Sequence, residues 1–122
     1  MRNYPHGEPV KVEFDGNATT AAAVSIYNIN NTARALGATE RLLLWSVAMA
    51  TLSATTIDLY SGDGASAAAG QRLAKAYLPA NSSQTVQHSG EPIACPIGVT
   101  PKVKSSTAVT VSLIAIGEII KS

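Results

Sequence analysis

Residues that commonly carry chemistry are scarce in this sequence. It contains one cysteine, Cys95, and two histidines, His6 and His88, and only 14% of its residues are charged. A single cysteine excludes an internal disulfide and a cysteine-based zinc cage. The two histidines lie far apart, without HExxH or a similar metal-binding spacing. This composition favours a structural or binding module over an enzyme.

Catalytic motifs are missing as well. The sequence has no GxSxG elbow and no phosphate-binding glycine loop. Asp58 and Asp63 flank Gly62 and could contribute to a calcium loop, but calcium usually requires more carboxylates, and Asp63-Gly64 is also an ordinary turn. We therefore predict no catalytic residue, no metal site and no cofactor.

The two remaining reactive side chains are predicted to be structural. Cys95 lies in the apolar segment IACPI, which predicts a buried small hydrophobe rather than a reactive thiol. His88 ends a short strand predicted over residues 84–88, on the same face as Val86, and we predict a hydrogen-bonded, partly buried imidazole.

Charge and hydropathy restrict the possible partners. The net charge is +1, the sequence pI is about 7.9, and the nine Lys and Arg residues are scattered along the chain, so we predict no nucleic-acid partner. The longest nearly apolar stretch, residues 42–52, is too short to span a bilayer. The polar start lacks the apolar segment of a secretion signal. We expect no membrane partner.

Short apolar runs separated by Gly, Pro, Asn and Ser clusters predict the fold. From residue 42 to residue 120 they have the spacing of strands joined by turns, which predicts a single all-β antiparallel sandwich, jelly-roll-like. Pro5, Gly7 and Pro9 oppose regular structure, so residues 1–9 are predicted to be an extended arm and residues 10–122 the sandwich domain. Residues 21–29 fit a helix or a strand, and we favour the strand. Pro101 within the strand predicted over 99–105 indicates an edge position.

Two strands are apolar on both faces. In residues 41–51, simple alternation assigns Trp45 to the same face as Val47 and Met49, and core packing is the favoured interpretation. In the last strand, predicted over 107–120, the second face becomes apolar at Ile114, Ile116 and Ile120. Either a bulge near Gly117 switches the faces, or this half of the strand meets a neighbouring molecule.

Six ordered phrases carry a resemblance to a known family, and they lie between residues 41 and 117. They are RLLLWSVAMA, TIDLYSGDG, AYLPANSS, GEPI, VTPKVK and TAVTVSLIAIG. In this order they resemble the small β-sandwich virion proteins of tailed bacteriophages, the head decoration or cement proteins. Residues 1–38 do not share the resemblance.

The resemblance implies a function. Proteins of this kind are not enzymes; they bind the outer face of a capsid and bridge neighbouring capsid subunits, often as trimers. It implies the major capsid protein as partner, a homotrimer, and the capsid exterior as location after synthesis in the host cytoplasm. We expect Tyr4, Pro5 and Val10 to contact the capsid, and Ile114, Ile116 and Ile120 to mediate self-association. A neck or tail component and a carbohydrate-binding host-attachment module are the alternatives.

Overall fold

Alternating apolar and polar residues form antiparallel strands, and these strands make two sheets that enclose an aliphatic core. The computed structural model describes residues 7–62, 72–87 and 91–121. Within these ranges every regular element is a β-strand, and every strand pair is antiparallel. The predicted all-β antiparallel sandwich is therefore confirmed.

The larger sheet has six strands in the described residues. Its order is β3-β1-β10-β4-β7, and β8 also pairs with β4. The strands are β1 Glu8–Asn17, β3 Ser25–Asn28, β4 Glu40–Thr51, β7 Ser82–Gln87, β8 Ile93–Ala94 and β10 Thr110–Lys121. The two longest, β4 and β10, are neighbours at its centre.

The smaller sheet has four strands in the order β2-β9-β5-β6. They are β2 Ala22–Ala23, β5 Thr55–Tyr60, β6 Arg72–Leu78 and β9 Lys102–Ser105. Six connections cross between the sheets: from β1 to β2, from β2 to β3, from β4 to β5, from β6 to β7, from β8 to β9 and from β9 to β10. The crossings bring strands that are adjacent in sequence into opposite layers.

The core is aliphatic, as the scarcity of aromatic residues predicts. Each sheet contributes its inward residues: Val12, Leu42 and Leu113 from the larger sheet and Ile57 and Val103 from the smaller one are at most 1% exposed. Cys95 is also 1% exposed and belongs to this core, so its predicted burial is confirmed.

Several strand predictions need correction or refinement. β1 begins at Glu8, so the regular structure starts two residues earlier than the predicted start of the sandwich domain at residue 10. The ambiguous segment 21–29 is strand, as favoured, but it is split into β2 and β3. The edge position predicted for the strand containing Pro101 is wrong, because β9 lies between β2 and β5. Pro101 precedes β9, and its carbonyl accepts a hydrogen bond from the Val24 N–H at 3.1 Å.

A β-bulge in the middle of the larger sheet decides which side chains face outward. Ile116 pairs with Ser46 but Gly117 pairs with Leu44, so Trp45 is the extra residue on β4. Gly117 makes this close approach possible: a Cβ atom there would overlap the Leu43 carbonyl oxygen. A bulge near Gly117 was one of the two alternatives that the sequence left open; the structure contains a bulge there and places its extra residue on the partner strand.

An ionic cluster secures the margin of the larger sheet. Arg34, in the connection before β4, donates through Nη1 and Nη2 to the Glu40 carboxylate at 2.9 and 2.6 Å and through Nε to Glu8 at 3.1 Å. The Gly37 N–H donates to Glu40 Oε1 at 2.7 Å. These donors stabilise the carboxylate form, mainly through Arg34, and lower the pKa of Glu40 to about 2. The cluster ties β1, β4 and the intervening loop together.

Candidate functional site

The outer side of the larger sheet exposes large apolar side chains at its centre. Ile114 is 50% exposed, Ile116 is 62% exposed, and Trp45 is 37% exposed. Around them the half-buried apolar residues of the same strands are Leu43, Ala48, Ala50 and Ile120. We call this set of seven side chains on β4 and β10 the apolar face. Exposed apolar clusters are typical of surfaces at which proteins bind partners.

Register places two members of the apolar face, Ile114 and Ala48, directly opposite each other across β4 and β10, whereas Ile116 and Ile120 stand opposite polar residues. Ile114 stands opposite Ala48 on β4 and opposite Glu13 on β1, and Ile116 stands opposite Lys11 on β1. Cross-strand partners of this kind lie close enough for their side chains to touch.

The flank on β1 is polar and internally paired. The Lys11 ammonium lies 3.1 Å from Glu13 Oε1 and 5.8 Å from the centre of the Tyr27 ring. The charges of this flank are therefore partly neutralised beside the isoleucines.

The structure places the predicted contact residues in three different situations. Ile114, Ile116 and Ile120 share the outer side of β10, as the alternation predicted. Val10 is only 5% exposed and packs in the core, so it does not offer the surface contact predicted for it. Tyr4 and Pro5 lie outside the described residues. The hypothesis of an arm contact therefore depends on Tyr4 and Pro5 alone.

Trp45 is the residue of the apolar face that sequence reasoning assigned to the wrong side. Alternation places it with Val47 in the core, but the bulge turns both Trp45 and Ser46 outward. The available signal was a glycine, Gly117, within a strongly apolar strand. The pairing of that strand with β4 was needed to use it.

The outer side of the smaller sheet has the opposite character. Its four strands carry four cationic side chains and a single carboxylate, a formal charge of +3. The strands of the larger sheet carry five carboxylates and three cations, a formal charge of −2. We call the outward side chains of Arg72, Lys75, Lys102, Lys104 and Asp58 the basic face.

Register and ion pairs organise the basic face around Asp58. This residue stands opposite Lys75 on β6 and Lys104 on β9. Asp58 Oδ1 lies 3.2 Å from Arg72 Nε and 3.8 Å from Lys75 Nζ. Lys104 Nζ donates to the Thr19 carbonyl at 2.5 Å. Sequence reasoning missed this face because its cations come from two segments that are distant along the chain.

A shallow groove at one end of the smaller sheet combines hydroxyl groups with an aromatic ring. It is lined by Thr56, Ser106, Thr107, Pro79 and Tyr77, among others, and Tyr77 is 72% exposed. The Lys75 ammonium lies 5.3 Å from the centre of the Tyr77 ring.

The described residues contain little else that suggests chemistry. Burial raises the pKa of the Cys95 thiol to about 12, which keeps it protonated and unreactive at neutral pH. No three His, Cys, Asp or Glu residues of the described ranges converge on a possible metal site. His6, His88 and Asp63 lie outside these ranges. Within them, no helix has the length and hydropathy needed to cross a membrane.

No protein-family model matches the chain, and comparisons with curated proteins and with solved structures found no significant match. The function is therefore inferred from the two outer faces of the sandwich and from the sequence phrases given above.

Proposed function

We propose that this protein is a structural component of a bacteriophage virion, a head decoration or cement protein. In this role it binds the outer surface of the capsid, bridges neighbouring capsid subunits and acts as a homo-oligomer, most simply a trimer. It has no catalytic activity and needs no cofactor. The observation that carries the proposal is the apolar face. In a single copy of the chain, Ile114, Ile116 and Trp45 are exposed to solvent.

The apolar face supports self-association for a physical reason. Burying exposed Ile and Trp side chains contributes about 25 cal/mol for each Å² of apolar surface removed from water. The aliphatic core of a 122-residue chain is small, so apolar surface buried between copies would add appreciably to the stability. Copies that associate through β4 and β10 would cover Ile114, Ile116 and Ile120 together, as the sequence-based hypothesis requires.

A cement function also follows a simple thermodynamic rule. A ligand that binds only the assembled lattice stabilises the lattice by mass action. An oligomer that engages repeated sites gains avidity without any new kind of contact. A small rigid sandwich with two outer faces of different chemistry is suited to contact its own copies on one side and a lattice on the other.

The test is a binding experiment with expanded capsids that lack the protein. The purified chain is added in excess, and the number of bound copies per particle is counted together with the temperature at which the capsids break open. Many copies in a fixed ratio to the capsid subunits, with a higher breakage temperature, are the expected result. Binding of only a handful of copies would contradict the cement role and indicate a neck or tail position.

A matched pair of variants tests the apolar face. Ile116→Glu places a charge in its centre, and Ile29→Glu makes the same change at a residue that is 76% exposed in the turn after β3. The first variant is expected to be monomeric in analytical ultracentrifugation and to lose most capsid binding. The second is expected to behave like the parent chain. Association that survives Ile116→Glu would remove the apolar face from the proposal.

One observation favours a second candidate, a carbohydrate-binding host-attachment module. The exposed Tyr77 ring lies beside the hydroxyl groups of Thr56, Ser106 and Thr107 in the groove of the smaller sheet. Aromatic rings and hydroxyl groups together can bind sugars. A glycan array distinguishes the candidates, because binding lost in Tyr77→Ala would support attachment and an array without signal would oppose it.

A further inference from the structure

The basic face differs chemically from the apolar face. Its four cations lie on neighbouring strands: Arg72 and Lys75 on β6, Lys102 and Lys104 on β9, with Asp58 on β5 between them. Successive outward residues of a strand, such as Lys102 and Lys104, lie on the same side of the sheet. Arg72 and Lys75 are three residues apart, but the register shift opposite Leu59 and Tyr60 brings both near Asp58, so the cations are concentrated on one side of the sandwich.

We propose that the basic face docks against an acidic protein surface, one that presents several Asp or Glu side chains. The argument is charge complementarity. The strands of the smaller sheet sum to +3, whereas those of the larger sheet sum to −2, so the chain carries a charge asymmetry across its two layers. Such an asymmetry steers and orients a molecule as it approaches a charged partner.

Asp58 limits the kind of anion that fits. Its side chain is only 20% exposed, with Oδ1 buried, and it lies among the cations, so it lowers the positive potential that an approaching polyanion meets at the centre of the patch. A protein surface can leave a gap or a donor at that point, since its carboxylates are separate side chains. Asp58 repels any partner that places a negative charge opposite it, and this repulsion adds specificity.

Nucleic acid fits the same face less well. Single-stranded nucleic acid is held by free aromatic rings together with a basic groove. Tyr77 is the aromatic side chain that projects from this side, and the Lys75 ammonium already lies against its ring, at 5.3 Å from the centroid. A surplus of three charges neutralises few phosphates, and the chain is far less basic than typical nucleic-acid-binding domains.

The experiment compares two charge-reversed variants of equal net charge. Lys102→Glu with Lys104→Glu changes the basic face, and Lys11→Glu with Lys121→Glu makes the same charge change on strands of the larger sheet. Both are measured for binding to poly-L-glutamate and to oligothymidylate of matched charge, between about 50 and 200 mM salt. Circular dichroism verifies that each variant is folded.

The expected result is that the parent chain binds poly-L-glutamate more tightly than oligothymidylate. We expect the basic-face variant to lose at least about tenfold in affinity, with the larger-sheet variant changed much less. Equal losses in the two variants would overturn the proposal, because net charge alone would then explain binding. Tighter binding to oligothymidylate, or no binding to poly-L-glutamate at all, would overturn it too.

If the double variant fails to fold, Lys102→Glu alone is the second test. It leaves the Lys104 hydrogen bond to Thr19 in place and is expected to weaken poly-L-glutamate binding about threefold. Unchanged binding in this folded variant would contradict the proposal.

The inference is independent of the capsid hypothesis, and variants of the same residues separate the two. If capsids bind the parent chain and Lys121→Glu but not Lys102→Glu, the acidic surface belongs to the capsid. If poly-L-glutamate binds and capsids do not, the proposed function fails and the basic face remains a docking surface for another acidic protein. Capsid binding unaffected by Lys102→Glu and Lys104→Glu would oppose the basic face as the capsid contact.

Discussion

The two outer faces of this sandwich differ in the physical force they offer to a partner. The apolar face presents Ile114, Ile116 and Trp45, whose burial yields hydrophobic free energy that depends weakly on salt. The basic face presents Arg72, Lys75, Lys102 and Lys104 around Asp58, and its attraction is long-ranged and screened by salt. The same fold therefore carries one surface suited to tight packing and one suited to steering.

The difference shows that the exposed apolar side chains and the cluster of cations lie on the outer sides of different sheets. Each sheet uses its inward residues for the shared core, so its outward residues are free to differ. A change on either outer side should alter binding while leaving the core intact, whereas a change at the bulge should affect both. Four predictions follow this order, from the largest effect on stability to the smallest.

Gly117→Ala is expected to have the largest effect. The added methyl group would overlap the Leu43 carbonyl oxygen, and the backbone at the bulge cannot yield without breaking the β4–β10 pairing. We expect a loss of about 3 kcal/mol in the free energy of unfolding, measured by urea denaturation. The control is Thr110→Ala at an exposed position of the same strand. A fully stable Gly117→Ala variant would show that the bulge is not needed.

Glu40→Gln tests the ionic cluster, which belongs to the larger sheet alone. Arg34 and the Gly37 N–H lower the pKa of Glu40 from 4.5 to about 2, so the stabilisation is complete above pH 4.5 and is lost as the pH falls through about 2. The variant should have a lower Tm than the parent at neutral pH, and the difference should shrink between pH 4.5 and 2. Glu13→Gln, at the exposed pair with Lys11, should change Tm much less. A difference that is constant with pH would contradict this account.

Asp58→Asn sharpens the contrast between the faces. It removes the carboxylate that lies near Arg72 and Lys75 and leaves the cations without their counter-ion. Since Arg72 is 42% exposed and screened by solvent, we expect a cost of only about 1 kcal/mol, decreasing with added salt. Binding to poly-L-glutamate should become tighter at the same time. Urea denaturation at two salt concentrations measures the first effect, and weaker poly-L-glutamate binding would contradict the second.

Ile114→Thr should have the smallest effect on the isolated chain. The side chain is 50% exposed and threonine keeps the β-branched shape, so the free energy of unfolding should change by no more than about 0.5 kcal/mol. Its neighbour Leu113 is 1% exposed, and Leu113→Ala should cost about 3 kcal/mol. Self-association, followed by ultracentrifugation, should weaken in Ile114→Thr although stability does not. Equal costs for the two variants would contradict the assignment of the two sides of β10.

The strength of local alternation explains which parts of the fold could be predicted. In β1 and the first half of β10, one residue in two is apolar, so the strands could be derived from the sequence, and the apolar second face of β10 indicated the outward position of Ile114, Ile116 and Ile120. The two-residue strands β2 and β8 have no comparable signal, because they are held by pairing to longer strands. The prediction for Val10 failed because the end of an irregular arm cannot be located from prolines alone; Pro9 already lies within β1.

The candidate interaction surfaces were predictable only in part. The apolar side of β10 could be recognised because its outward positions, which are usually polar, carry isoleucines. This is a property of one segment. Trp45 was assigned to the core because a bulge shifts the alternation by one residue, and a bulge is defined by a pair of strands. The basic face was not visible at all, because residues 72–75 and 102–104 are brought together only by their common neighbour β5.

By itself, the sequence determined the β-sandwich class, most long strands, the aliphatic core, the buried Cys95 and the scarcity of chemical groups. These properties follow from residue composition and from the period of two along single strands. Only the tertiary structure decided the strand order, the outward position of Trp45, and the separation of an apolar face from a basic one. The physical reason is that register and sheet neighbours are relations between distant segments, and the pattern within one segment does not contain them.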